Sequence, residues 1–468
     1  MNRESISAPE AESVRIPRYG DLNFAALWKE YPPAPEYFDG VYRLSRDALR
    51  EVQEHRFTAA IARAWDVPFY QRYWGRAGIE PGDVTCLDDL SKLPTFSVHD
   101  LRESTDANPP WGDLIGIDPD HDAPTPLIFQ TSGGTTGLPR VMMYTPRDRE
   151  IMNIITGRRM FMHGVRPFDL VQVALGTGLP NAGLLLREAI IGYTGAVPII
   201  TGTGAQTPTA RQIELMRGWG VDYLAATAPY MRHIAEVAAA DLSFDVADLG
   251  LKGLICWLGS EDRTRIERQW QAPVYDSYGT NEFGTIATDC QHRSGMHIFE
   301  DAFYPELPES GPGSLVLTAL FKHAGPMIRF DTNDVFEWAE GQCACGSTHR
   351  RLSQLIGRAD NMVKFRATNI FPEAVGSLAA ADARTTGEYI CVLDKRGGSE
   401  RLIVRVEARD PSVDREALAA SLARRFRDAL GATLEVDIVG KGELAPQTLV
   451  DAQTKARRLL RLEDEKPA

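Results

Sequence analysis

Short apolar runs alternate with helical stretches through the middle of the chain, from Leu127 to Tyr278. The runs LVQVALG, AVPIIT, DYLAAT and GLICWLGS have the length and composition of buried strands. Helical stretches at Ala210–Trp219 and Tyr230–Ala239 lie between them. This alternation predicts layered strands and helices, which is the α/β class.

The patterns on either side of this region differ from it. Apolar residues at helical spacing over Leu44–Ala64 predict a helical N-terminal region, which follows a polar segment of about 20 residues that we expect to be poorly ordered. Farther on, the β-like runs SLVLTAL and PMIRFDT precede a small α+β unit with the runs YICVLD, RLIVRVEA and LEVDIV and a helix at Arg415–Leu430. We therefore expect a large domain over residues 1–357 and a small one over residues 358–468.

Composition narrows the class of protein. The 468 residues exceed one ordinary core, and a formal charge of -13, from 51 basic and 64 acidic residues, disfavours nucleic acid as a partner. No apolar run approaches the ~18 residues of a membrane span, and the first residues do not have the pattern of a signal peptide. Six cysteines are too few for a disulfide scaffold. These features predict a cytoplasmic protein without membrane contact.

The stretch PLIFQTSGGTTGLPR, Pro126–Arg140, is the first candidate for chemistry. Glycines allow a ligand to approach the backbone and hydroxyls add donors, so a phosphate is the expected ligand, although a flexible surface turn has the same composition. The segment has no Walker A lysine, GTGLPNAG has the wrong spacing for a dinucleotide fingerprint, and no G-x-S-x-G elbow occurs. The role of this loop is therefore inferred from the motifs that follow it in the chain.

Five motifs follow in order: GSED at Gly259, YDSYGTNEFG at Tyr275, RFDTND at Arg329, IGRADNMVKFRATNIFP at Ile356 and TKARRLLR at Thr454. Together they resemble the adenylate-forming acyl-ligase superfamily. The upstream stretch VPFYQRYWGRAGIEPGDVTCLDDLSKLPTFSVHDLRE is similar to the phenylacetate-CoA ligase branch. The resemblance implies a layered α/β adenylating domain and a small mobile α+β domain. It also implies activation of an acid by ATP with release of pyrophosphate, then transfer of the acyl group to CoA.

The resemblance assigns nucleotide-binding roles to several motifs. The loop that would cradle pyrophosphate consists of Thr131, Ser132, Gly133, Gly134, Thr135, Thr136 and Gly137. The turn Gly259, Ser260 and Glu261 would contact adenine, Tyr278 would lie beside the base, and Gly279, Thr280 and Asn281 lead to Glu282. Glu282 would hold Mg²⁺, which prefers carboxylate oxygens.

The later motifs would bind the sugar and move the small domain. Asp334 would accept hydrogen bonds from the ribose hydroxyls, and Arg358 would reach the sugar or the phosphate. Asp360 matches the hinge, and Lys455 matches the mobile lysine of the adenylation step, although Lys441 lies in the same tail. These assignments predict one site used by two half-reactions.

Three positions depart from the family pattern. Leu138 stands where TTGKP would supply a lysine, SGGTTG has one extra glycine, and Asn281 replaces the usual Thr or Ser. Arg140 could replace the missing positive charge, although its planar fork makes it an imperfect substitute. The departures also leave open a protein that binds nucleotide without catalysis.

Two further sets of residues carry predictions. Cys290, His297, Cys343 and Cys345 have the donor chemistry of a closed structural Zn²⁺ site, and similar sets occur in some relatives. The alternative is two unrelated thiol clusters, with His292 and His349 as rival ligands.

The acyl pocket is expected at Gly178, Asn181, Ala182, Gly183, Ala228 and Tyr230. Small residues beside Tyr230 suit a flat aromatic acid, and ordinary core packing is the alternative. A carrier-protein thiol or an amine could replace CoA as acceptor. A homodimer and a role in secondary metabolism complete the predictions.

Overall fold

The computed structural model describes residues 18–117, 126–131, 139–259, 261–365, 368–396, 400–448 and 457–462. Most of the polar segment expected to be poorly ordered, residues 1–17, lies outside these ranges. The predicted helical N-terminal region is confirmed: its helices are α1 (Phe24–Glu30), α2 (Glu36–Asp39), α3 (Arg46–Trp65), α4 (Pro68–Arg76) and α5 (Val98–Ala107). The Ser45 hydroxyl starts α3 by accepting a hydrogen bond from Ala48 N, and α3 buries Phe57 and Ile61 in the main core.

An antiparallel hairpin holds both ends of the glycine-rich segment. Its strands are β1 (Ile128–Thr131) and β2 (Val141–Tyr144), and the buried helix α6 (Pro146–Met162) follows. Strand β1 is only partly buried: Phe129 is 45% exposed, whereas Gln130 and Thr131 are each 4% exposed. Among the described residues β1 and β2 form a sheet of two strands, so part of the hairpin faces solvent.

The predicted α/β layers are confirmed in a parallel sheet of order β4-β3-β5-β6-β7. The elements of this layer are, in chain order, β3 (Leu170–Val173), α7 (Ala182–Tyr193), β4 (Val197–Ile200), α8 (Thr209–Trp219), β5 (Tyr223–Thr227), α9 (Ala228–Asp241), β6 (Gly253–Trp257), α10 (Arg263–Trp270) and β7 (Val274–Tyr275). Because all five strands are parallel, their carboxyl ends lie at one edge of the sheet. The segments after β3, β5 and β6 therefore reach the same edge.

Two antiparallel sheets of four strands follow in the chain, in the orders β14-β10-β9-β8 and β11-β12-β13-β15. The strands are β8 (Ser277–Thr280), β9 (Gly284–Thr288), β10 (Met296–Ile298), β11 (Phe303–Glu306), β12 (Gly313–Ala319), β13 (Phe330–Phe336), β14 (Arg351–Leu352) and β15 (Gly357–Arg358). In the second sheet Asp334 on β13 is the direct partner of Arg358 on β15. This register brings two distant motifs together.

The last part of the described chain has its own core. Its elements are β16 (Val363–Phe365), β17 (Thr368–Ile370), α11 (Pro372–Ala380), β18 (Thr385–Asp394), β19 (Arg401–Ala408), α12 (Arg415–Leu430), β20 (Glu435–Val439), α13 (Ala445–Thr448) and β21 (Leu459–Leu462). The predicted helix is confirmed at both ends, because the Asp414 side chain caps its start and Gly431 is left-handed at its end. Buried Tyr389, Val404 and Phe426 pack in a cluster that begins at Val363.

Within the described ranges, every helix is too short or too polar to cross a membrane.

Candidate active site

A buried carboxylate joins three of the sequence motifs. Asp334 accepts a hydrogen bond from the Tyr278 hydroxyl at 2.8 Å on Oδ2 and from Arg358 Nη1 at 2.8 Å on Oδ1. Burial raises the pKa of Tyr278 well above its usual range, and the Asp334 charge adds to the shift. The Tyr278 hydroxyl therefore stays protonated and can continue to donate.

Arg358 also holds the residue expected at the hinge. Its Nε and Nη2 donate to the two carboxylate oxygens of Asp360 at 2.9 and 2.8 Å. Burial alone lowers the pKa of the Arg358 guanidinium, but Asp360 and Asp334 outweigh burial and raise it. One guanidinium thus bridges the predicted ribose carboxylate and the predicted hinge carboxylate.

The predicted magnesium ligand, Glu282, is surrounded by positive charge. The Arg140 guanidinium is bonded to the Glu282 carboxylate, and both side chains are largely buried. Burial raises the pKa of Glu282, but Arg140 reverses this shift and the net pKa is lowered. Lys322 Nζ donates to the Glu282 carbonyl at 2.9 Å, and burial lowers the pKa of Lys322 to about 8.

Sequence motifs alone do not identify Lys322 as a residue of the site. The signal that could have found it is a lone lysine in the run LTALFKHAG, where the neighbouring residues are apolar or small. A lysine that is only 2% exposed requires a local reason for its burial, and the Glu282 carbonyl supplies one.

The loop after β3 contacts two of the predicted nucleotide-binding motifs, at Thr131 and at Asn281. Thr131 N donates to Leu179 O at 3.1 Å, and Asn181 N donates to the Asn281 side-chain oxygen at 3.3 Å. The Arg149 guanidinium holds Asn181 Oδ1 from the other side. The other residues of the predicted phosphate cradle lie outside the described ranges: Ser132, Gly133, Gly134, Thr135, Thr136 and Gly137. Leu138 lies outside them as well.

The predicted acyl-pocket residues occupy two places. Gly178, Asn181, Ala182 and Gly183 lie in the loop after β3 and the start of α7. A Cβ atom on Gly183 would lie 2.4 Å from Gly176 O, so close packing alone requires this glycine. Ala228 is fully buried at the start of α9.

Tyr230 lies in the same turn of α9 as Ala228. Its hydroxyl contacts Thr209 at 3.1 Å and Gln212 Nε2 at 3.0 Å, so it is tied to α8. Its ring stacks on His233 with the centroids 5.9 Å apart.

The predicted adenine turn is held by side chains from two other segments. Gly259 is left-handed, with φ +60. Gln354 Nε2 donates to Gly259 O at 3.0 Å and to Glu261 O at 2.9 Å, and Arg232 Nη2 pairs with Glu261 at 3.1 Å. Ser260 lies outside the described residues.

The buried acid Asp276 is hydrogen-bonded to the backbone directly before this turn. Asp276 Oδ1 accepts hydrogen bonds from Leu258 N at 2.9 Å and from Ser277 N at 2.7 Å. Burial raises the pKa of Asp276 to about 7, and the nearby Asp289 charge adds to the shift.

The four predicted metal ligands lie together. One donor atom from each of Cys290, His297, Cys343 and Cys345 lies within 4.8 Å of the others. The Cys290 and Cys343 sulfurs are 3.5 Å apart, and Cys345 Sγ is 3.4 Å from His297 Nε2. His349 contacts backbone carbonyls instead, and His292 is exposed.

The other predicted catalytic residue, Lys455, lies outside the described residues. The chain is described again from Arg457, whose N donates to Thr448 O at 2.7 Å. Arg458 pairs with Glu388 at 2.7 Å and lies over the Tyr389 ring.

Comparison with known proteins gives consistent results. Residues 367–462 match the AMP-binding enzyme C-terminal domain. The chain is 30% identical over 457 residues to the phenylacetate-coenzyme A ligase of Thermus thermophilus, covering 90% of this chain and 98% of the relative. It is 30% identical over 430 residues to the phenylacetate-coenzyme A ligase of Pseudomonas putida, covering 87% and 93%.

The solved structure of 2-hydroxyisobutyryl-CoA ligase in the postadenylation state with 2-HIB-AMP has a TM-score of 0.77 at 26% identity, covering 94% of this chain and 92% of that one. The same ligase with 2-HIB-AMP and CoA in the thioesterification state has a TM-score of 0.64 at 26% identity, covering 90% and 91%.

The layered fold and the C-terminal domain together define an adenylate-forming enzyme. Within that class, the chain belongs to the phenylacetate-CoA ligase family. It is an AMP-forming acid–CoA ligase, which activates a carboxylic acid as an acyl-adenylate and then forms the CoA thioester.

We predict that Asp276 makes stability fall as pH rises. Its folded pKa of about 7 lies above the ordinary value of 3.8, so the folded state binds the extra proton between these values and loses that advantage as pH rises to 7. Asp276→Asn removes this titration. Relative to wild type, its unfolding free energy should increase between pH 5 and pH 8, by an amount on the order of 2 to 4 kcal/mol.

Urea unfolding of both proteins at pH 5, 6, 7 and 8 measures that difference. A difference that does not change with pH would remove Asp276 as the titrating group.

Proposed function

We propose that this ligase activates an aromatic carboxylic acid at the edge of the parallel sheet and uses two positions of its small domain for the two half-reactions. The observation that carries the proposal is the shared guanidinium of Arg358, which contacts Asp334 and Asp360 at once. In this proposal Asp334 binds the ribose, Tyr278 lies beside the adenine, and the turn around Gly259 and Glu261 contacts the base. The large domain then comprises residues 1–357 and the small domain residues 358–468.

An aromatic acid is supported by the family and by the loop after β3. The curated relatives are phenylacetate ligases, and the loop contributes Gly178 and Ala182, which leave room for a flat ring. The 2-hydroxyisobutyryl-CoA ligase has a comparable fold and a branched hydroxy acid as its acyl group, so such an acid is the second candidate.

Magnesium fits the chemistry of Glu282. A carboxylate oxygen is the donor that Mg²⁺ prefers, and the ion would neutralise phosphate charge there. Arg140 is paired with the Glu282 carboxylate in this structure. When the metal binds, Arg140 would leave this carboxylate and pair with the phosphates. Arg140 then supplies positive charge near the position where Leu138 replaces the family lysine.

Zinc fits the chemistry of the four-residue cluster. With Zn–S bonds of about 2.3 Å, two sulfurs of a tetrahedral site lie about 3.8 Å apart, and the Cys290–Cys343 separation of 3.5 Å is close to that value. We propose that Cys290, His297, Cys343 and Cys345 hold a structural Zn²⁺. It would fasten the β9–β10 hairpin to the segment before β14 and take no part in the chemistry.

The proposal extends to the environment and the assembly of the protein. A reducing, cytoplasmic environment is supported by the six cysteines, which all lie in the described ranges and form no disulfide there. A homodimer is supported by an apolar patch at the sheet edge strand β4, where Phe168 is 86% exposed and Ile191 and Val197 are exposed as well. A role in secondary metabolism, and a carrier-protein or amine acceptor, stay predictions.

The test of the function begins with a panel of acids. We predict that phenylacetate or a benzoate drives exchange of labelled pyrophosphate into ATP faster than 2-hydroxyisobutyrate does. Glu282→Gln and Asp334→Asn should lower this exchange by about a hundredfold or more, because each removes charge stabilisation present in the transition state. Exposed Glu340→Gln is the matched control and should keep wild-type exchange.

Exchange at wild-type rates in both variants would remove Glu282 and Asp334 from the site. Faster exchange with 2-hydroxyisobutyrate would favour the second candidate acid.

For the metal, we predict about one zinc per chain in protein purified without chelator. Cys343→Ser should lose the zinc and melt at a lower temperature, because the energy of metal binding is coupled to folding. Cys86→Ser is the control, since Cys86 lies outside the cluster. Elemental analysis that finds no zinc would contradict the proposal.

For the two half-reactions, we predict that Lys455→Ala slows acyl-adenylate formation by roughly a hundredfold and leaves thioester formation from synthetic acyl-adenylate and CoA intact. Asp360→Pro should have the opposite effect, because a fixed φ at the hinge prevents rotation. Lys441→Ala is the matched control for Lys455→Ala, and Asp360→Ala separates loss of the Asp360 carboxylate from the fixed φ of proline. Equal loss of both half-reactions in Lys455→Ala would show that the two steps do not use separate domain positions.

A further inference from the structure

Two arginines of the large domain hold the small domain by its backbone. Arg265 of α10 donates from Nη1 to Ala380 O at 3.0 Å and from Nη2 to Thr386 O at 3.3 Å. Arg232 of α9 donates from Nη1 to the same Thr386 oxygen at 3.1 Å. These contacts join the parallel-sheet layer directly to the segment between α11 and β18.

The accepting carbonyls are well suited to a cation. Ala380 is the last residue of α11, where a helix has unpaired carbonyls and the negative end of its dipole. Thr386 lies where the register between β18 and β19 shifts, so its carbonyl is outside the regular ladder. Both carbonyls would need new partners if the small domain moved away.

Glycine at position 387 permits this close approach. Its φ of +92 is strained for any residue with a side chain. A Cβ atom there would lie 3.0 Å from Arg232 Nη1 and 3.1 Å from Arg265 Nη1. A side chain at position 387 would therefore strain the backbone and push both guanidinium groups away by a few tenths of an ångström.

The arginines are also connected to the adenine turn. Arg232 uses Nη2 to pair with Glu261 at 3.1 Å, while its Nη1 reaches the small domain. Both members of that pair are mostly buried, at 11% and 16% side-chain exposure. The turn that carries Glu261 is fixed by Gln354 through two backbone carbonyls. A change in the turn is thereby transmitted to the contact between domains.

This arrangement concentrates positive charge at the interface. Burial lowers the pKa of Arg265, and the nearby Arg409 and Arg232 charges lower it further. This electrostatic cost is opposed by the hydrogen bonds that the two guanidinium groups donate to the Ala380 and Thr386 carbonyls, and by the ion pair of Arg232 with Glu261. The hydrogen bonds to the two carbonyls require the domain position seen in this structure.

We propose that Arg232 and Arg265 form a latch that holds the small domain in the adenylation position, and that Glu261 couples the latch to the adenine turn. The proposal rests on the two-position function above. It is supported by the higher TM-score with the postadenylation structure of 2-hydroxyisobutyryl-CoA ligase, 0.77, than with its thioesterification structure, 0.64. The two arginines are positioning residues, since they act through the placement of the small domain.

The test compares the two half-reactions in latch variants, using the acid that gives the fastest wild-type pyrophosphate exchange. Arg265→Gln and Gly387→Ala should slow acyl-adenylate formation at least tenfold, while thioester formation from synthetic acyl-adenylate and CoA stays equal to wild type or rises. Arg265→Lys keeps the charge and should recover part of the first rate.

Arg268→Gln is the matched control on the same helix, because Arg268 is exposed and its Nε bonds only to Thr264 O of its own helix, at 3.3 Å. It should leave both half-reactions at the wild-type rate. Melting temperatures of all variants separate misfolding from loss of the latch.

Equal slowing of both half-reactions in a folded Arg265→Gln variant, or no change in either, would overturn the latch. Failure of the proposed two-position function is distinguishable from this result, because Lys455→Ala would then slow both half-reactions equally as well.

Discussion

The arrangement of the site depends on the burial of one carboxylate. Asp334 is 8% exposed, and a charge so placed is stable only if nearby donors replace the water it has lost. Tyr278 and Arg358 are those donors. Because they come from β8 and β15, the charge on β13 fixes the relative position of the two antiparallel sheets. The same arginine reaches Asp360, so the segment where the small domain begins is held by the same charge network.

A second consequence concerns how the domains communicate. In the proposed division of the chain, the small domain begins at Arg358 and contacts the large domain at two places. Arg358 pairs with Asp334, and Arg232 and Arg265 donate to the Thr386 and Ala380 carbonyls. Both contacts are made by arginines, whose several N–H groups bond two partners at once. In the proposed function these arginines would make the position of the small domain depend on the ligand, because Arg358 pairs with Asp334 and Arg232 pairs with Glu261.

Much of the fold could be predicted from the sequence because local signals agree with tertiary structure. The helix at Arg415–Leu430 has a capping Asp414 and a terminating Gly431, and both ends were predictable. The cysteine and histidine cluster was also predictable, since its residue types are rare and specific. Motif order pointed to Asp334 and Arg358, although only the register of β13 and β15 places them side by side.

The rest could not be predicted, because it depends on contacts between distant segments. Leu127 and Phe129 are apolar yet partly exposed, since β1 pairs only with β2. Lys322 and Arg265 have no motif around them, and their importance follows from which backbone carbonyl each one meets.

The central claim is that Arg358 makes the ribose carboxylate and the hinge carboxylate act together. The most direct measurement is a double-mutant cycle of Asp334→Asn and Asp360→Asn, with the affinity for a non-hydrolysable acyl-adenylate analogue as readout. The account predicts a coupling energy of at least about 0.5 kcal/mol, with a smaller effect of Asp360→Asn once Asp334 is neutral. Strictly additive effects of the two substitutions would contradict it.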